Sequence, residues 1–436
     1  MRNLKRGINS LITAGILILA TISMSAWAAE KVQLTYMFWG SPLEREAQFK
    51  MCRDFEKVYP NIEVKAIYTP ANYQEKISAM VAGGTPPDVA QLAEGPSLSW
   101  ARMGVVMDLI PFMEEDPEVS IESRLPETWY WYDKGEKTLG TNLAAEVMLL
   151  WYNKDIFDQA GVSYPPANAD QAWTWDEFLD VAKKLTSEQK GRKTFGVAFS
   201  TWAGPLLPFI RSNEGEFFNE DVTAPLLESP ETIEVLQKLS DLMNKHQVAP
   251  TPTQLAAFPS FAVTMQTGQV AMAVDGQWAL LDLAKARFNL GVAPVPVFKK
   301  PVCVELGSPN VIFSDTKHKK ESWELYKWTT SAESVLPVLR SGLWMPLQTK
   351  WYEEPDLLER WIDPQTHPPE YKEAVVDYLL KYGSQYPAYY IENWDEVQRM
   401  IEQGFSNLWL GKEDAKTAAG RIAEELKPLL QGRTDR

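Results

Sequence analysis

The sequence predicts an α/β protein of two lobes, each a mostly parallel sheet flanked by helices, followed by a helical C-terminal region. The chain has 436 residues, more than one hydrophobic core usually spans. Hydrophobic residues make up 45% of it, which is ample for packed cores. Strand-like and helix-like segments alternate up to about Lys317, and the pattern is almost wholly helical after that point.

The N-terminal segment has the pattern of a secretory signal peptide. Three basic residues among the first six precede an apolar run over residues 8–22, and small residues flank Trp27. The run is short for a membrane-spanning helix, and no Cys follows it to carry a lipid. We therefore expect residues 1–28 to be removed and the mature protein to be free in the periplasm.

The first α/β segment reads as strand, helix, strand, helix, strand. Residues 32–38 alternate in polarity as a half-buried strand does, and Ser41 to Glu44 reads as the capping box of a helix. Asn72 and Glu75 resemble a second capping box, and residues 88–92 read as the third strand. This order predicts a parallel sheet with helices on both faces.

A second α/β segment follows. Residues 146–152 form an apolar, strand-like run, and Thr174 to Glu177 reads as another capping box. Strand patterns recur at residues 196–199 and 270–274. The repeated alternation predicts a second lobe of the same class.

The motifs of common catalytic sites are absent from the sequence. It contains no HExxH, CxxC, GxxxxGK or GxSxG pattern, and its three histidines are not spaced as metal ligands. We therefore expect a protein that is not an enzyme and that has no catalytic residues, no metal and no cofactor. A net charge of −15 also argues against nucleic acid as a partner. Hydrolysis by a pair of carboxylates stays open, because Asp and Glu are abundant.

The two cysteines, Cys52 and Cys303, lie far apart in the sequence. The expected compartment permits a disulfide, so the spacing alone leaves their pairing undecided. We favour unpaired cysteines buried in the core.

Tryptophan is abundant, with 17 residues, and several lie beside turns or glycines. Aromatic faces pack on the C–H faces of sugar rings, and nearby Asp, Glu, Asn and Gln side chains hydrogen bond to sugar hydroxyls. A single tryptophan is more often a packing residue, but those near turns, such as Trp39, Trp202 and Trp278, are better candidates for a binding site.

Several motifs resemble, in order, those of bacterial extracellular solute-binding proteins of family one, the maltose-binding type. The matching segments are Phe55-Glu56-Lys57-Val58-Tyr59-Pro60-Asn61-Ile62-Glu63-Val64, Ala82-Gly83-Gly84-Thr85-Pro86-Pro87-Asp88-Val89, Trp151-Tyr152-Asn153-Lys154-Asp155-Ile156-Phe157, Gly268-Gln269-Val270-Ala271-Met272 with Asp275-Gly276-Gln277-Trp278, and Gly291-Val292-Ala293-Pro294-Val295-Pro296.

The resemblance implies the two-lobed fold of type II periplasmic binding proteins. We expect an N-terminal lobe of residues 29–143 plus 297–343 and a C-terminal lobe of residues 144–296 plus 344–436. Members of the family bind a solute between the lobes and deliver it to the membrane permease of an ABC importer, which a separate ATPase drives.

The resemblance also implies which residues face the cleft. The expected ligand-binding residues are Trp39, Gly40, Ser41, Glu44, Gln91, Glu94, Trp202, Asp275, Gly276, Trp278, Ser308, Asn310 and Trp344. Many relatives carry a proline before the first crossover, where this chain has Thr141-Asn142-Leu143. That departure prevents a sugar identity from being carried over.

These observations predict a periplasmic, monomeric sugar-binding subunit that closes by a hinge around a carbohydrate. A neutral oligosaccharide is the favoured ligand, because the tryptophans are numerous. Two alternatives stay open. One is an exported carbohydrate-active hydrolase, and the other is a binder of a non-sugar solute such as a polyamine or a glycerophosphate ester.

Overall fold

The computed structural model describes residues 31–189 and 191–436. The predicted signal peptide over residues 1–28 lies outside these ranges. Within them, no helix combines the length and the apolar character needed to cross a membrane.

The described residues form strands β1 (Val32–Phe38), β2 (Ile62–Tyr68), β3 (Val89–Gln91), β4 (Trp129–Tyr132), β5 (Lys137–Thr141), β6 (Glu146–Asn153), β7 (Ser187–Gln189), β8 (Arg192–Phe199), β9 (Val270–Gly276), β10 (Leu290–Ala293), β11 (Cys303–Leu306), β12 (Asn310–Ile312) and β13 (Gly383–Gln385).

The helices before residue 290 are α1 (Pro42–Val58), α2 (Tyr73–Ala82), α3 (Glu94–Arg102), α4 (Ile110–Glu115), α5 (Lys154–Ala160), α6 (Trp175–Leu185), α7 (Ala203–Ser212), α8 (Pro230–Asn244), α9 (Pro252–Leu255), α10 (Phe261–Gln266) and α11 (Leu280–Leu283). The later helices are α12 (Lys319–Thr330), α13 (Leu336–Arg340), α14 (Lys350–Glu353), α15 (Pro355–Trp361), α16 (Tyr378–Tyr382), which a π-helical segment (Lys372–Asp377) precedes, α17 (Trp394–Gly404), α18 (Ser406–Trp409) and α19 (Ala415–Leu426). The C-terminal region is therefore helical, as predicted, apart from the short strand β13.

The first sheet has the strand order β12-β3-β1-β2. Strand β1 pairs in parallel with β2, in a register that aligns Val32 with Ile62, and also in parallel with β3. Strand β12 returns antiparallel to β3. The predicted strand–helix order and parallel pairing of β1 to β3 are confirmed.

The second sheet is mixed. Its order is β13-β11-β6-β9-β8-β7, and β10 pairs with β6. Strand β6 runs antiparallel to β9, β10 and β11, whereas β8 and β9 are parallel. The expected mostly parallel pairing therefore fits the first sheet, whereas the second combines both directions. Strand β11, which the expected boundary at residue 297 assigns to the N-terminal lobe, pairs with this second sheet.

Three chain segments run side by side where the two sheets meet. The Leu143 amide donates to the Ser308 carbonyl at 2.9 Å, and Ala145 forms an isolated bridge with Met345. Glu305 is fully buried there, and its carboxylate accepts hydrogen bonds from Asn142 (3.0 Å) and the Tyr389 hydroxyl (2.6 Å). This segment cluster is the structural connection between the two halves.

Two of the three predicted helix caps are confirmed. The Ser41 hydroxyl accepts the Glu44 amide at 3.3 Å, and Thr174 with Glu177 forms a complete capping box. The Asn72 prediction is wrong: its side chain makes no cap hydrogen bond, because its backbone is left-handed with φ +52°. Asn tolerates this conformation better than most residues do.

Cys52 lies in α1 and Cys303 in β11, and both are buried and unpaired. Burial raises the pKa of the Cys52 thiol to about 12, so the thiol stays protonated. The preference for unpaired core cysteines is confirmed.

The C-terminal tail forms a strap, defined as residues 432–436, between the two halves. The Gly432 amide donates to the Val222 carbonyl at 3.1 Å, next to the second sheet's helices. The Thr434 hydroxyl donates to the Trp131 carbonyl at 2.8 Å, on the β4–β5 hairpin. The strap therefore joins parts of the chain that belong to different halves.

Candidate ligand groove

The loop after β1 forms one end of the candidate groove. Gly40 has φ +137°, and a Cβ atom at this position would collide with the Glu44 carboxylate. Only glycine therefore allows Glu44 to fold back over the loop. The Tyr68 hydroxyl donates to the Gly40 carbonyl at 2.8 Å and fixes the turn. Trp39 and Ser41 flank Gly40, and both keep part of their surface exposed.

The loop after β3 lies beside it. The Gln48 amide nitrogen, in α1, is 3.2 Å from the Gln91 side-chain oxygen and 3.4 Å from the Trp39 carbonyl oxygen. The Tyr73 hydroxyl donates to the Gln91 carbonyl at 2.6 Å. Glu94 then opens α3. The two loops of the first sheet are therefore held together at the carboxyl ends of adjacent parallel strands, where ligands bind in open α/β sheets.

The end of β9 supplies the facing wall. In the register of β6 and β9, Leu149 pairs with Asp275 and Met148 pairs with Gly276. The indole of Trp278 lies against Gly276, where a Cβ atom would collide with the ring. Trp278 and Asp275 are both partly exposed. The glycine thus allows the indole to fold over the strand end with part of its surface open to solvent.

A second indole lies at the start of α7. The Trp202 indole covers Gly204, and a Cβ atom at position 204 would collide with this ring. Its ring is edge-on to Tyr386, with 6.2 Å between ring centroids. Burial raises the pKa of Tyr386, and the charge of Glu94 raises it further. Helix α3 contacts the turn at residues 387–389, so this aromatic pair lies near the α3 end of the groove.

A carboxylate that the sequence prediction missed lies among these groups. Glu146 is the first residue of β6, and burial raises its pKa well above the usual range, with a further rise from the charges of Glu44 and Glu94. Burial likewise raises the pKa of Glu94. The pKa of Glu44 rises to about 7, first through burial and then through Asp282 on α11, although the Ser41 backbone amide partly offsets this.

Asp275 completes the set. Burial raises its pKa to about 7, and the hydrogen bond from the Gly276 amide, at 2.8 Å, offsets only part of this effect. All four carboxylates keep some solvent-exposed surface. In a narrow groove, solvent reaches a carboxyl group, but the surrounding protein still disfavours its charged form.

The groove carboxyl groups have no cationic partner among the described residues. Across residues 31–189 and 191–436, none of the four carboxylates has a Lys, Arg or His nitrogen within 4.0 Å. Groups in such a setting hold protons at unusually high pH or bind a ligand that supplies donors or positive charge.

The predicted binding residues differ in whether they are exposed to solvent. Ten of the thirteen keep exposed surface, namely Trp39, Gly40, Ser41, Glu44, Gln91, Glu94, Trp202, Asp275, Trp278 and Ser308. Gly276 is buried under Trp278.

Asn310 and Trp344 lie in the core instead. Asn310 is 0% exposed and donates to the Thr329 hydroxyl at 2.8 Å, and Trp344 is 3% exposed. We leave both out of the groove, because a solute reaches neither. Their positions just after the expected crossovers suggested exposure, but strand β12 and the segment around Met345 pack inward.

A separate cavity of about 780 Å³ lies at the other end of α7. Arg211, Glu216, Tyr390 and Arg433 are among its lining residues, and none of the thirteen predicted residues is. Two of its basic groups are already engaged, since Arg211 pairs with Glu216 at 2.6 Å and Arg433 lies 3.7 Å from the Tyr390 ring centroid. Lys300 also lines the cavity.

Comparison with known proteins supports a solute-binding fold. The sequence profile described as bacterial extracellular solute-binding protein matches residues 40–335. Over 91% of this chain and 98% of the other, the fold matches a Listeria monocytogenes ABC substrate-binding protein in complex with cycloalternan, with a TM-score of 0.81 and 25% identity.

Two further proteins are similar over nearly their whole length. Maltose-bound MalE3 of T. maritima matches with a TM-score of 0.77 at 22% identity, over 92% of this chain and all of that one. The sn-glycerol-3-phosphate-binding periplasmic protein of Brucella abortus is 22% identical over 94% of this chain and 95% of its own length.

Proposed function

Because the chain belongs to the bacterial extracellular solute-binding protein family, we propose that it captures a carbohydrate between its two lobes and presents it to the membrane subunits of an ABC importer. The family places the protein outside the cytoplasm, and the sequence pattern of residues 1–28 favours the periplasm. A separate ATPase supplies the energy, and the protein acts as a monomer without nucleic acid.

The observation that carries this proposal is the pair of partly exposed indoles opposite carboxylates. Trp278 and Trp202 each lie over a glycine, so that a ring face or edge is open to a solute. Glu44 and Glu94 approach from the first sheet. Stacking on a sugar ring combined with hydrogen bonds to its hydroxyls requires this combination of groups.

Hinge closure is the proposed mechanism of capture. We place the crossovers near residues 142–146, 306–310 and 343–347, where the three segments run side by side, rather than at residue 297. A solute first binds one wall, the other wall then adds contacts, and the closed state gains population. Selectivity arises because a buried polar group left without a partner costs about 1–3 kcal/mol.

The alternative functions make different demands on the groove. A glycerophosphate ester is anionic and needs cationic partners, and none of the thirteen expected ligand-binding residues is Lys or Arg. Hydrolysis would require a carboxylate pair and release reducing ends, and we propose that the protein carries out no such reaction. A polyamine would match the charge, but it offers no ring for the indoles to stack on.

A thermal-shift screen tests the proposal, because a ligand that binds only the folded state raises the melting temperature. The expected result is a rise with oligosaccharides and none with glycerol 3-phosphate or spermidine. In parallel, incubation of the protein with each oligosaccharide should yield no new reducing ends. A melting temperature that no sugar raises, or hydrolysis that follows the protein through purification, contradicts the proposal.

A further inference from the structure

A chain of hydrogen bonds runs behind the two groove loops of the first sheet. It begins at the Tyr36 hydroxyl in β1, which donates to the Gln48 side-chain oxygen at 2.9 Å. The Gln48 amide nitrogen lies 3.4 Å from the Trp39 carbonyl oxygen and 3.2 Å from the Gln91 side-chain oxygen. Tyr36 is 0% exposed and Gln48 is 1% exposed. Both side chains therefore lie behind the loops, where a solute does not reach them.

The Trp39 carbonyl decides which way the Gln48 amide faces. A carbonyl oxygen accepts hydrogen bonds and never donates them, so the Gln48 atom beside it is the nitrogen of the NH2 group. The reversed amide would set two acceptor oxygens side by side, and the buried Tyr36 hydroxyl would lose its acceptor. The orientation of Gln48 is therefore fixed by two groups that cannot exchange their roles in this way.

The Gln48 amide in turn decides how the Gln91 side chain faces. Because Gln48 donates through its NH2 group, the Gln91 atom 3.2 Å away is the acceptor oxygen. The NH2 group of Gln91 is then on the opposite side of its amide. Within the described part of the chain this group has no acceptor, and Gln91 keeps part of its surface exposed at the carboxyl end of β3. The Tyr73 hydroxyl also holds the Gln91 backbone carbonyl at 2.6 Å, so this residue presents a fixed donor to the groove.

We propose that Gln48 is a positioning residue that orients Gln91, and that the groove selects at this point a solute group that accepts a hydrogen bond. This inference rests on the proposed function and names one polar requirement of its site. A sugar hydroxyl or ether oxygen accepts a hydrogen bond from Gln91, whereas an ammonium group has no lone pair to accept one. A donor that is already held in place needs no reordering when the solute binds, and this raises the affinity.

Hydrogen exchange of the two side-chain amides tests the orientation without any solute. Nuclear magnetic resonance of isotope-labelled protein resolves the NH2 signals, and loss of one signal in Gln48→Met or Gln91→Met assigns it. The Gln91 NH2 hydrogens should exchange with water at least about tenfold faster than those of Gln48, because they have no protein acceptor. In the reversed arrangement Gln91 would donate to Gln48, and its hydrogens would be protected. Equal protection of the two groups overturns the inference.

Calorimetry with maltotriose, cellotriose and β-1,4-mannotriose tests the positioning role. Gln91→Met removes the donor and should weaken binding of each trisaccharide that the wild-type protein binds by about fivefold or more. Gln48→Met leaves the Gln91 amide free to turn and should weaken the same binding by about threefold or more. The double variant should bind no more weakly than Gln91→Met alone, because Gln48 acts through Gln91.

A matched control makes the same change elsewhere on the first sheet. Gln33→Met alters an exposed residue near the start of β1, away from the carboxyl ends of the strands, and should leave the affinity unchanged. Circular dichroism of every variant checks that it is folded. If Gln48→Met fails to fold, the exchange rates in the wild-type protein and the affinity of Gln91→Met decide the inference.

The outcomes separate this inference from the proposed function. Losses of affinity that add in the double variant overturn the positioning role, because Gln48 would then act independently of Gln91. Unchanged affinity in Gln91→Met removes this donor from the site and also overturns the inference, while carbohydrate capture stands. If none of the three trisaccharides binds the wild-type protein, the proposed function is contradicted, and the exchange rates still decide the orientation of Gln91.

Discussion

Two carboxyl groups on neighbouring strands, Glu305 and Glu146, show how the molecule divides structure from binding. Glu305 on β11 pairs in register with Val147, and Glu146 on β6 pairs with Leu306. Because alternate residues of a strand point to opposite faces, the two carboxyl groups leave the sheet in opposite directions. Glu305 meets Asn142 and Tyr389, whereas Glu146 meets two other carboxylates.

The two groups differ in their partners and in their exposure, since Glu305 is fully buried and Glu146 keeps part of its surface exposed. Burial raises the pKa of both groups well above the usual range. The hydrogen bonds at Glu305 satisfy its oxygens, so this group contributes to the connection between the lobes. The Glu146 carboxyl group receives no such bonds from the described residues, and part of its surface is open to solvent. A partly exposed carboxyl group with a strongly raised pKa and no partner among the described residues indicates a role in binding.

The largest expected effect tests the structural role of Glu305. Glu305→Ala leaves the Asn142 amide and the Tyr389 hydroxyl without their acceptor, and it should lower the free energy of unfolding by about 3 kcal/mol. Glu146→Ala should leave this free energy nearly unchanged, because no described residue hydrogen bonds to its carboxyl group. Urea denaturation of both variants measures the difference. Equal losses would erase the distinction between the two groups.

The second effect concerns the facing wall. Trp278→Ala should weaken saccharide binding by about tenfold or more, equal to about 1.4 kcal/mol, because it removes the stacking face. Trp173→Ala is a matched control, since Trp173 is also partly exposed but packs on Phe157 away from the groove. Calorimetry on each variant gives the affinities. Unchanged binding in Trp278→Ala would remove this indole from the site.

The third effect is on stability as a function of pH. The pKa of Glu44 rises on folding from 4.5, and that of Asp275 from 3.8, each to about 7. At pH values between the unfolded-state pKa and about 7, the folded state binds more protons than the unfolded state. The free energy of unfolding is therefore greatest at the acidic end of this range and falls as the pH rises towards 7.

We expect the ligand-free protein to lose about 1 kcal/mol or more of its unfolding free energy from pH 5 to pH 7. Thermal melts across this range measure the loss. The double variant Glu44→Gln with Asp275→Asn should flatten the profile. Stability that rises with pH in the wild-type protein would contradict the account of the groove.

The smallest expected effect comes from the C-terminal strap. Deletion of residues 432–436 removes the contacts that join Val222 to the Trp131 hairpin. Because these contacts join the two halves, we expect the truncated protein to bind saccharide about two- to threefold more weakly, a loss of less than about 1 kcal/mol. The control Arg436→Ala keeps the Gly432 and Thr434 hydrogen bonds. An affinity that truncation leaves intact would show that the strap does not couple the lobes.

The sequence predicts what depends on local pattern. The alternation in β1, the Ser41 and Thr174 caps and the strand order of the first sheet follow from side-chain period and capping chemistry. The local pattern does not predict that β11 joins the second sheet, because this pairing depends on partners some 150 residues away in the sequence. Asn72 shows the same limit at a smaller scale, since its left-handed backbone overrides a capping pattern.

The site was predictable in part. Glycines beside Trp39 and Trp278 mark turns that expose aromatic rings, and these turns lie where the structure leaves surface open. Asn310 and Trp344 have the same apparent context but are buried, because exposure is decided by tertiary packing. Glu146 was hidden at the start of an apolar strand. A single charged residue that opens an otherwise buried strand was the available signal.

A crystal structure of the protein with a bound oligosaccharide tests the central claim most directly. We expect a sugar ring against the Trp278 indole, with a polar group of the ligand within hydrogen-bond distance of Glu146. A ligand found instead in the cavity beside Arg211 and Tyr390, with the groove closed and empty, would contradict it.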